Sequence, residues 1–398
     1  MTDSPVIPVP QQKPPESFPT LHIVHGLQSL DVGGLERIVL DLTRVGRRRG
    51  HRVSVVCLER PGTLAPQVEA EGATVLSLDK PPGRTPWLSD RAATLLSDLT
   101  PDIVHTHTIG ALWYLGSAVR KVCPIPVLHT EHIDNVGKAT SRWAKLKTRV
   151  LWHRAGQYAD RFCCVSDDVG RSATKWWTVP RSKVETVLNG IDTDRYADLS
   201  TRAEVRNQFG IAASDRVVGT VGRLNEVKNQ NLLLQAVAAL DSSHGDLHIL
   251  LVGDGPERSS LERRASDLGL GSRTHFAGYQ RNPERYLPAM DVFAMTSRIE
   301  GLPLALLEAW AARLPIVSSA VGGVPKVVVD GESGILFPNG DEVALATALR
   351  TLLGDSEMAA RMAAKGQALV RERYSLDRMA TDYEERYRSL LTAYRGLR

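Results

Sequence analysis

Two carboxylates eight positions apart, Glu300 and Glu308, stand in the stretch Ser297-Arg298-Ile299-Glu300-Gly301-Leu302-Pro303-Leu304-Ala305-Leu306-Leu307-Glu308-Ala309-Trp310. Two carboxylates in close contact could do acid/base work. Here the setting argues against that. A polar turn containing Gly301 and Pro303 leads into an apolar helical run, which predicts Glu300 at the mouth of the turn and Glu308 two turns down the helix. Eight residues at about 100° each would set the two side chains roughly 80° apart around the axis. They would flank one elongated ligand rather than meet as a pair. The preceding Val292-Phe293-Ala294-Met295 reads as a strand, so the order is strand, turn, helix. In an open α/β sheet, ligands sit beyond the carboxyl ends of strands. A helix start there offers unpaired N–H groups and a positive dipole end, both suited to phosphate.

Other chemistry-bearing residues fall at similar places. Arg223 and Lys228 follow the predicted strand Val217 to Gly222. Arg as a planar fork and Lys as a point charge can neutralise a diphosphate. Cations at a helix start are disfavoured by the helix dipole, which points to an anion nearby. Gly33-Gly34 lies between the strand Leu21 to His25 and a helix from Leu35 to about Arg49. Strand, glycine turn, helix is a phosphate-binding order, although such glycines also serve simply to turn the chain. Gly253-Asp254-Gly255-Pro256 repeats it after Leu247 to Val252. His132 closes Thr130-Glu131-His132 just past a strand end, with His129 a rival three residues earlier; His105 and His107 also occupy strand ends. No His, Cys or carboxylate spacing matches a known metal cage, so no metal is expected.

The elements that must position these residues alternate along 398 residues, too many for one ordinary core. Hydrophobic residues make up 42% and charged residues 24%, the balance of a soluble globular chain, and the formal charge of +4 is too mild to imply nucleic acid. No apolar run approaches the roughly 20 residues that span a bilayer. Six prolines in the first 19 residues, without a hydrophobic core, predict a disordered lead-in rather than a signal peptide or anchor. Cys57, Cys123, Cys163 and Cys164 lack metal-ligand spacing and read as buried thiols of a reducing cytoplasm. Short apolar strands alternating with helices predict parallel sheets covered on both faces. Polar turn residues gather from Val187 to Tyr196, after which the alternation restarts. The expected division is therefore a first α/β domain over 20–195, a second over 196–375, and a long final helix over 376–398.

From Gly137 to Arg154 there are six Lys or Arg and no acid. Lys138, Arg142, Lys145, Lys147 and Arg149 surround Trp143 and Trp152. A helix there would carry a cationic face and an aromatic face, suited to an anionic membrane or acceptor surface. The plainer alternative is a solvated helix whose tryptophans pack on the domain. Trp176-Trp177, near Lys175, Arg181 and Lys183, would extend the same surface.

Over about residues 20 to 390 these pieces resemble the retaining glycosyltransferases of family 4. Glu300 to Glu308 is similar to that family's E-x7-E motif. Gly222-Arg223-Leu224 with Lys228-Asn229 resembles its diphosphate clamp, and Gly33-Gly34 its N-domain glycine loop. Gly253-Asp254-Gly255-Pro256 and Asn189-Gly190-Ile191-Asp192 look typical of it, and Thr130-Glu131-His132 resembles its Thr-x-His segment. The resemblance implies a GT-B fold: two Rossmann-like, doubly wound α/β domains facing a cleft, the final helix crossing back to the N domain. It implies a UDP- or GDP-sugar donor and a glycan or lipid-linked acceptor in cell-surface polysaccharide or glycolipid synthesis. By it, Glu308 holds the ribose, while Glu300 with the amides of Gly301, Leu302 and Pro303 holds the sugar and distal phosphate. Arg223 and Lys228 stabilise the leaving diphosphate, Gly33, Gly34 and Gly253 approach the donor, and His132 stands beside the transferred sugar. No cofactor beyond the donor and no metal is implied. The expected location is cytoplasmic, peripheral on the inner face of the membrane. A nucleotide-sugar epimerase on the same fold, or a non-catalytic nucleotide-sugar-binding protein, is the alternative.

Overall fold

The computed structural model describes residues 19–31, 33–122, 124–132, 142–176, 178–240 and 247–396. The lead-in expected over 1–19 lies outside them except for Pro19, as do Cys123, Lys138, Trp177 and the side chain of Arg142. Seven strands form the first sheet: His22–Ser29 (β1), Arg52–Arg60 (β2), Thr74–Ser77 (β3), Ile103–Thr106 (β4), Val127–Glu131 (β5), Arg161–Cys164 (β6) and Val184–Thr186 (β7). Six form the second: Arg216–Val221 (β8), Leu247–Val252 (β9), Thr274–Gly278 (β10), Val292–Met295 (β11), Ile316–Ser319 (β12) and Ile335–Phe337 (β13). The helices that bear on the site are Gly34–Arg48 (α1), Arg142–Gly156 (α2), Gln230–Ala238 (α3), Leu304–Ala311 (α4) and Leu376–Gly396 (α5).

The strand orders are β3-β2-β1-β4-β5-β6-β7 and β10-β9-β8-β11-β12-β13, and the strand pairs within both sheets are parallel. Each order reverses once, between β1 and β4 in the first sheet and between β8 and β11 in the second. Such reversals splay the following loops apart and open a crevice at the strands' carboxyl ends. The buried strands are apolar on both faces because each face meets a helical layer. Val24 points into one cluster with Val56, Leu96, Val104 and Phe162, while the adjacent Ile23 points into the opposite one with Ile38, Leu42 and Leu128. The second sheet divides likewise, Val218 and Ile249 on one side, Val217 and Leu250 with Trp310 on the other.

The chain crosses between the sheets twice, and the two crossings are hydrogen-bonded. The Ile191 amide donates to the Tyr374 carbonyl at 2.9 Å, and the Leu376 amide to the Ile191 carbonyl at 2.8 Å. From there α5 runs back to the first sheet. Its Met379, Tyr383, Tyr387 and Leu390 are buried in the same cluster as Ile23 and Leu128. Arg49 donates to Glu384 at 2.9 Å, and His51 Nε2 lies 3.2 Å from the same carboxylate, fastening α5 to the end of α1.

Candidate functional site

The loops after β8 and β11 meet first. Lys228 Nζ donates to Glu300 Oε1 at 2.5 Å. Both loops are held rigidly behind that pair. The Arg298 amide donates to the Val227 carbonyl at 2.8 Å, and Thr296 Oγ1 to the Lys228 carbonyl at 2.9 Å. Ser319 Oγ, from the end of β12, donates to the Ser297 carbonyl at 2.6 Å. Gly322 has a φ of +54° and packs against the Glu300 carbonyl so closely that a side chain there would have no room. The signal for Gly322 in the sequence is its place after the strand Ile316 to Ser318, the same strand-to-glycine pattern as the other turns.

Glu300 is not on the helix. Asn189 Nδ2 donates to the Leu302 carbonyl at 3.1 Å, and Pro303 is extended at φ −73°, ψ 124°, so α4 starts only at Leu304. Glu308 is therefore its fifth residue, one turn in rather than two, and the 80° helical offset does not describe the pair. The loop of Gly301, Leu302 and Pro303 sets their relation instead. Glu308 is buried, accepts from Tyr196 Oη at 2.8 Å, and has its carboxyl raised above the ordinary range by that burial. Tyr196, in the polar stretch between the domains, reaches this site, and no local sequence pattern signals that role.

Arg223 is exposed beyond β8, and its guanidinium makes no hydrogen bond or ion pair among the described residues, while its carbonyl accepts from Gln230 Nε2 at 3.1 Å. Lys228 and Arg223 thus border the same turn, one engaged and one open to solvent. Gly253, just past β9, donates its amide to the Gly278 carbonyl at 2.9 Å and packs against Gly222, which places it beside Arg223.

The first domain closes on this turn from two sides. A Cβ on Gly301 would lie 2.5 Å from the His132 carbonyl oxygen, so only a glycine allows that approach. A Cβ on Gly34 would lie 3.8 Å from Leu304 Cδ1, so the start of α1 faces the start of α4. Two helix N-termini, each with unpaired N–H groups, converge across the crevice. Gly33 precedes α1, with the Glu36 side chain folded back against it; burial pushes that carboxyl up to about 6.

The two candidate histidines lie in different surroundings. His129 is fully buried, shares a hydrogen bond with Thr106 Oγ1 at 2.9 Å, and packs on Phe162 and Trp152 at centroid distances of 4.7 and 5.9 Å. His132 lies one residue past β5, its backbone against Gly301. Behind it, His107 Nδ1 is 3.3 Å from His132 Nε2, and His107 Nε2 is 3.0 Å from His25 Nδ1. His105 packs tilted on His107 at 4.1 Å between centroids and bonds Thr130 Oγ1 at 2.8 Å and Tyr387 Oη at 2.7 Å. Burial holds these rings neutral, lowering His132 to about 3, His25 to about 4, and His105 and His107 well below their ordinary value. The nitrogens of His25, His105 and His107 approach within 4.8 Å of one another, a possible metal donor set that sequence spacing does not reveal. In this structure those rings bond one another, Thr130 and Tyr387 instead.

Trp152 corrects the expected surface. Nine positions at about 100° per residue put Trp143 and Trp152 on opposite faces of one helix. Trp152 is buried, its ring 6.0 Å from that of Phe162, and belongs to the core. Trp143 is 74% exposed, and Leu146, Val150 and Leu151 are exposed along the same helix with Lys145, Lys147 and Arg149.

Two family models match the chain, one described as Glycosyltransferase Family 4 over residues 32–195, the other as Glycosyl transferases group 1 over 201–369. A GDP-mannose-dependent alpha-(1-6)-phosphatidylinositol monomannoside mannosyltransferase of Mycolicibacterium smegmatis is 33% identical over 287 residues, 67% of this chain and 72% of that protein. A D-inositol 3-phosphate glycosyltransferase of Corynebacterium urealyticum is 30% identical over 321 residues, 76% and 74% of the two chains. Among solved structures, Anabaena HepE in complex with UDP and glucose superposes with a TM-score of 0.82 at 23% identity, covering 93% of this chain and 100% of that one.

Proposed function

The chain belongs to glycosyltransferase family 4 and is a sugar-transferring enzyme with the two-domain GT-B fold, and from that membership we propose that it transfers a sugar from a UDP- or GDP-sugar with retention of anomeric configuration. The observation that carries this reading is the convergence, at the reversal points of both sheets, of Gly34 on Leu304, His132 on Gly301, and Lys228 on Glu300. The second domain holds the donor. Glu308 takes the ribose hydroxyls. Glu300 and the amides of Gly301 and Leu302, with Pro303 closing the turn, hold the sugar and distal phosphate. Gly33, Gly34 and Gly253 let the backbone come close to the donor. Arg223 and Lys228 face the diphosphate.

The chemistry is charge handling. The bond from the anomeric carbon to the phosphate oxygen breaks, and negative charge grows on the leaving diphosphate. Cations and N–H groups already in place lower that barrier. The acceptor oxygen bonds the anomeric carbon from the same face, and its proton passes to the leaving phosphate. Glu300 orients the sugar and keeps Lys228 in place; it is not the nucleophile of a double displacement. Since two side-chain cations serve the diphosphate, no metal is needed in this reaction.

The acceptor is a glycan or a lipid-linked molecule, as in cell-surface polysaccharide or glycolipid assembly. The relatives named above include enzymes of phosphatidylinositol mannoside and inositol phosphate glycosylation. The exposed Trp143, Leu146 and Val150, at helical spacing beside Lys145, Lys147 and Arg149, fit an anionic membrane surface, with the protein peripheral on the cytoplasmic side. Among the described residues no helix is long and apolar enough to cross a membrane.

Thermal-shift screening with UDP-, GDP- and ADP-sugars tests the donor, since a ligand that binds only the folded state raises its stability. A shift with none of them would overturn the reading. Transfer to acceptor should then collapse in Glu300→Gln, and unchanged turnover would remove Glu300 from its role. Interconversion of sugars without acceptor would indicate an epimerase; donor binding without any turnover would indicate a sensor.

A further inference from the structure

The buried histidines behind the cleft are not used by the reaction as described, yet His107 touches His132, which the family resemblance sets beside the transferred sugar. His107 Nδ1 meets His132 Nε2 at 3.3 Å, and His107 Nε2 meets His25 Nδ1 at 3.0 Å. The rings lie 5.5 and 5.2 Å apart between centroids, tilted at 35° and 37°. His25 and His107 are almost wholly buried, and His132 nearly so.

A neutral imidazole has one N–H and one bare nitrogen. In a series of neutral rings, every N–H must therefore point the same way along the chain. If His25 Nδ1–H donates to His107 Nε2, then His107 Nδ1–H donates to His132 Nε2, and His132 carries its proton on Nδ1. If the series runs the other way, His132 Nδ1 is bare. In either case one nitrogen of His132 is occupied by His107, and the other has a fixed donor or acceptor character. Protonating any member would place a charge among buried aromatic and imidazole rings, where among the described residues no carboxylate bonds His25, His107 or His132. Burial is the first cause that keeps each of them neutral.

We infer that His107, supported by His25, is a positioning residue that locks His132 in one neutral tautomer and leaves only its Nδ1 for the ligand in the cleft. The inference rests on the reading of His132 as the cleft histidine. A functional histidine is commonly oriented by a partner on its second nitrogen, and the wrong tautomer can disable it without moving it. Here the partner is another imidazole rather than a carboxylate. The lock is therefore neutral and adds no charge beside the donor's phosphates.

The test uses the full chain with histidine-selective nitrogen-15 labelling and long-range proton–nitrogen correlation spectra, His132 being identified by its loss in His132→Gln. In the wild type, His132 should show one pyrrole-type and one pyridine-type nitrogen. Two averaged shifts, meaning tautomers in exchange, would overturn the lock even if no variant folded. His107→Leu removes the bond, and His132 should then show averaged or reversed shifts. Its kcat should fall about tenfold to a hundredfold with donor KM within about twofold, the scale seen when a partner that orients a functional histidine is lost. His107→Asn keeps an amide where Nδ1 was, and should recover the wild-type pattern and most of kcat. Equal loss in both variants, or no change in His107→Leu, would overturn the inference. If His132→Gln turns over like the wild type while its tautomer still answers to His107, the reading of His132 fails and the lock stands.

Discussion

Tyr196 and Glu308 show what a single buried hydrogen bond can control. The phenol donates to one carboxylate oxygen at 2.8 Å, and both groups are buried. That leaves the second oxygen for a ligand and fixes its direction. Removing one partner of a buried bond leaves the other short of a donor, a cost of roughly 1–3 kcal/mol. Tyr196→Phe should therefore raise donor KM about tenfold with a smaller effect on kcat, measured by donor titration at saturating acceptor. Glu36 gives a stability prediction with a definite sign. Its carboxyl stands at about 6 instead of 4.5 because of burial. Below pH 4.5 it is protonated in folded and unfolded chains alike and costs nothing. As pH rises through 6, the folded protein must hold a buried carboxylate that the unfolded chain carries in water. The difference amounts to about 2 kcal/mol. Glu36→Gln should raise denaturant-measured stability by up to about that amount at pH 8 and leave it unchanged at pH 4. Such relations were only partly legible in the sequence. The carboxylates, the cations and the glycine turns announce themselves by type and local order. The histidine series does not, because parallel pairing sets His25 beside His105 and Thr106 beside His129, positions far apart in the chain.

At the scale of elements, the strands and the turns that follow them could be read because buried parallel strands are short apolar runs ended by Gly or Pro. The helix carrying Trp143 and Trp152 could be located but not oriented. Composition gives a helix's residues, while its rotation is set by what it packs on, here Phe162 and His129. The start of α4 was misplaced for a related reason, since Pro303 and the bond from Asn189 delay it to Leu304. The two tryptophans should behave oppositely. Trp143→Ser should leave the melting temperature within about 2 °C and weaken flotation with anionic liposomes, an effect that added salt reduces in the wild type. Trp152→Ala should destabilise the fold by roughly 3–5 kcal/mol through the cavity it leaves. Equal liposome binding by wild type and Trp143→Ser would remove α2 from any membrane contact.

At the scale of the whole molecule, the expectation of two parallel α/β units agrees with the seven-stranded and six-stranded sheets. It could not show that the two crossings between them, at Ile191 and at Tyr374 to Leu376, are bonded side by side. The covalent links between the sheets pass through that pair. Nor could sequence alone show how much of the first core comes from the far end of the chain. Leu376, Met379, Tyr383, Tyr387 and Leu390 are all buried there. A large side chain of this kind contributes roughly 1.5–3 kcal/mol when buried. Five together rival the roughly 5–15 kcal/mol that holds an ordinary domain folded. Truncation after Ser375 should therefore abolish the cooperative unfolding of the first domain, seen as dye binding and loss of near-ultraviolet circular dichroism. A truncated chain that still melts in a sharp transition would contradict the packing of α5.

The same packing sets an order on synthesis. β1 to β7 leave the ribosome first, α1 among them, so the face of Ile23, Leu128 and Cys163 has Ile38, Leu42 and Val45 on it but not yet α5. About 200 further residues must be added before Leu390 emerges, and at roughly 5–20 residues per second that takes on the order of 10–40 s. Through that interval the nascent sheet exposes the part of its apolar face that α5 covers in the folded protein. The half that is translated first is the half that is completed last, and its yield in a cell depends on keeping that face from other chains while the remainder is made.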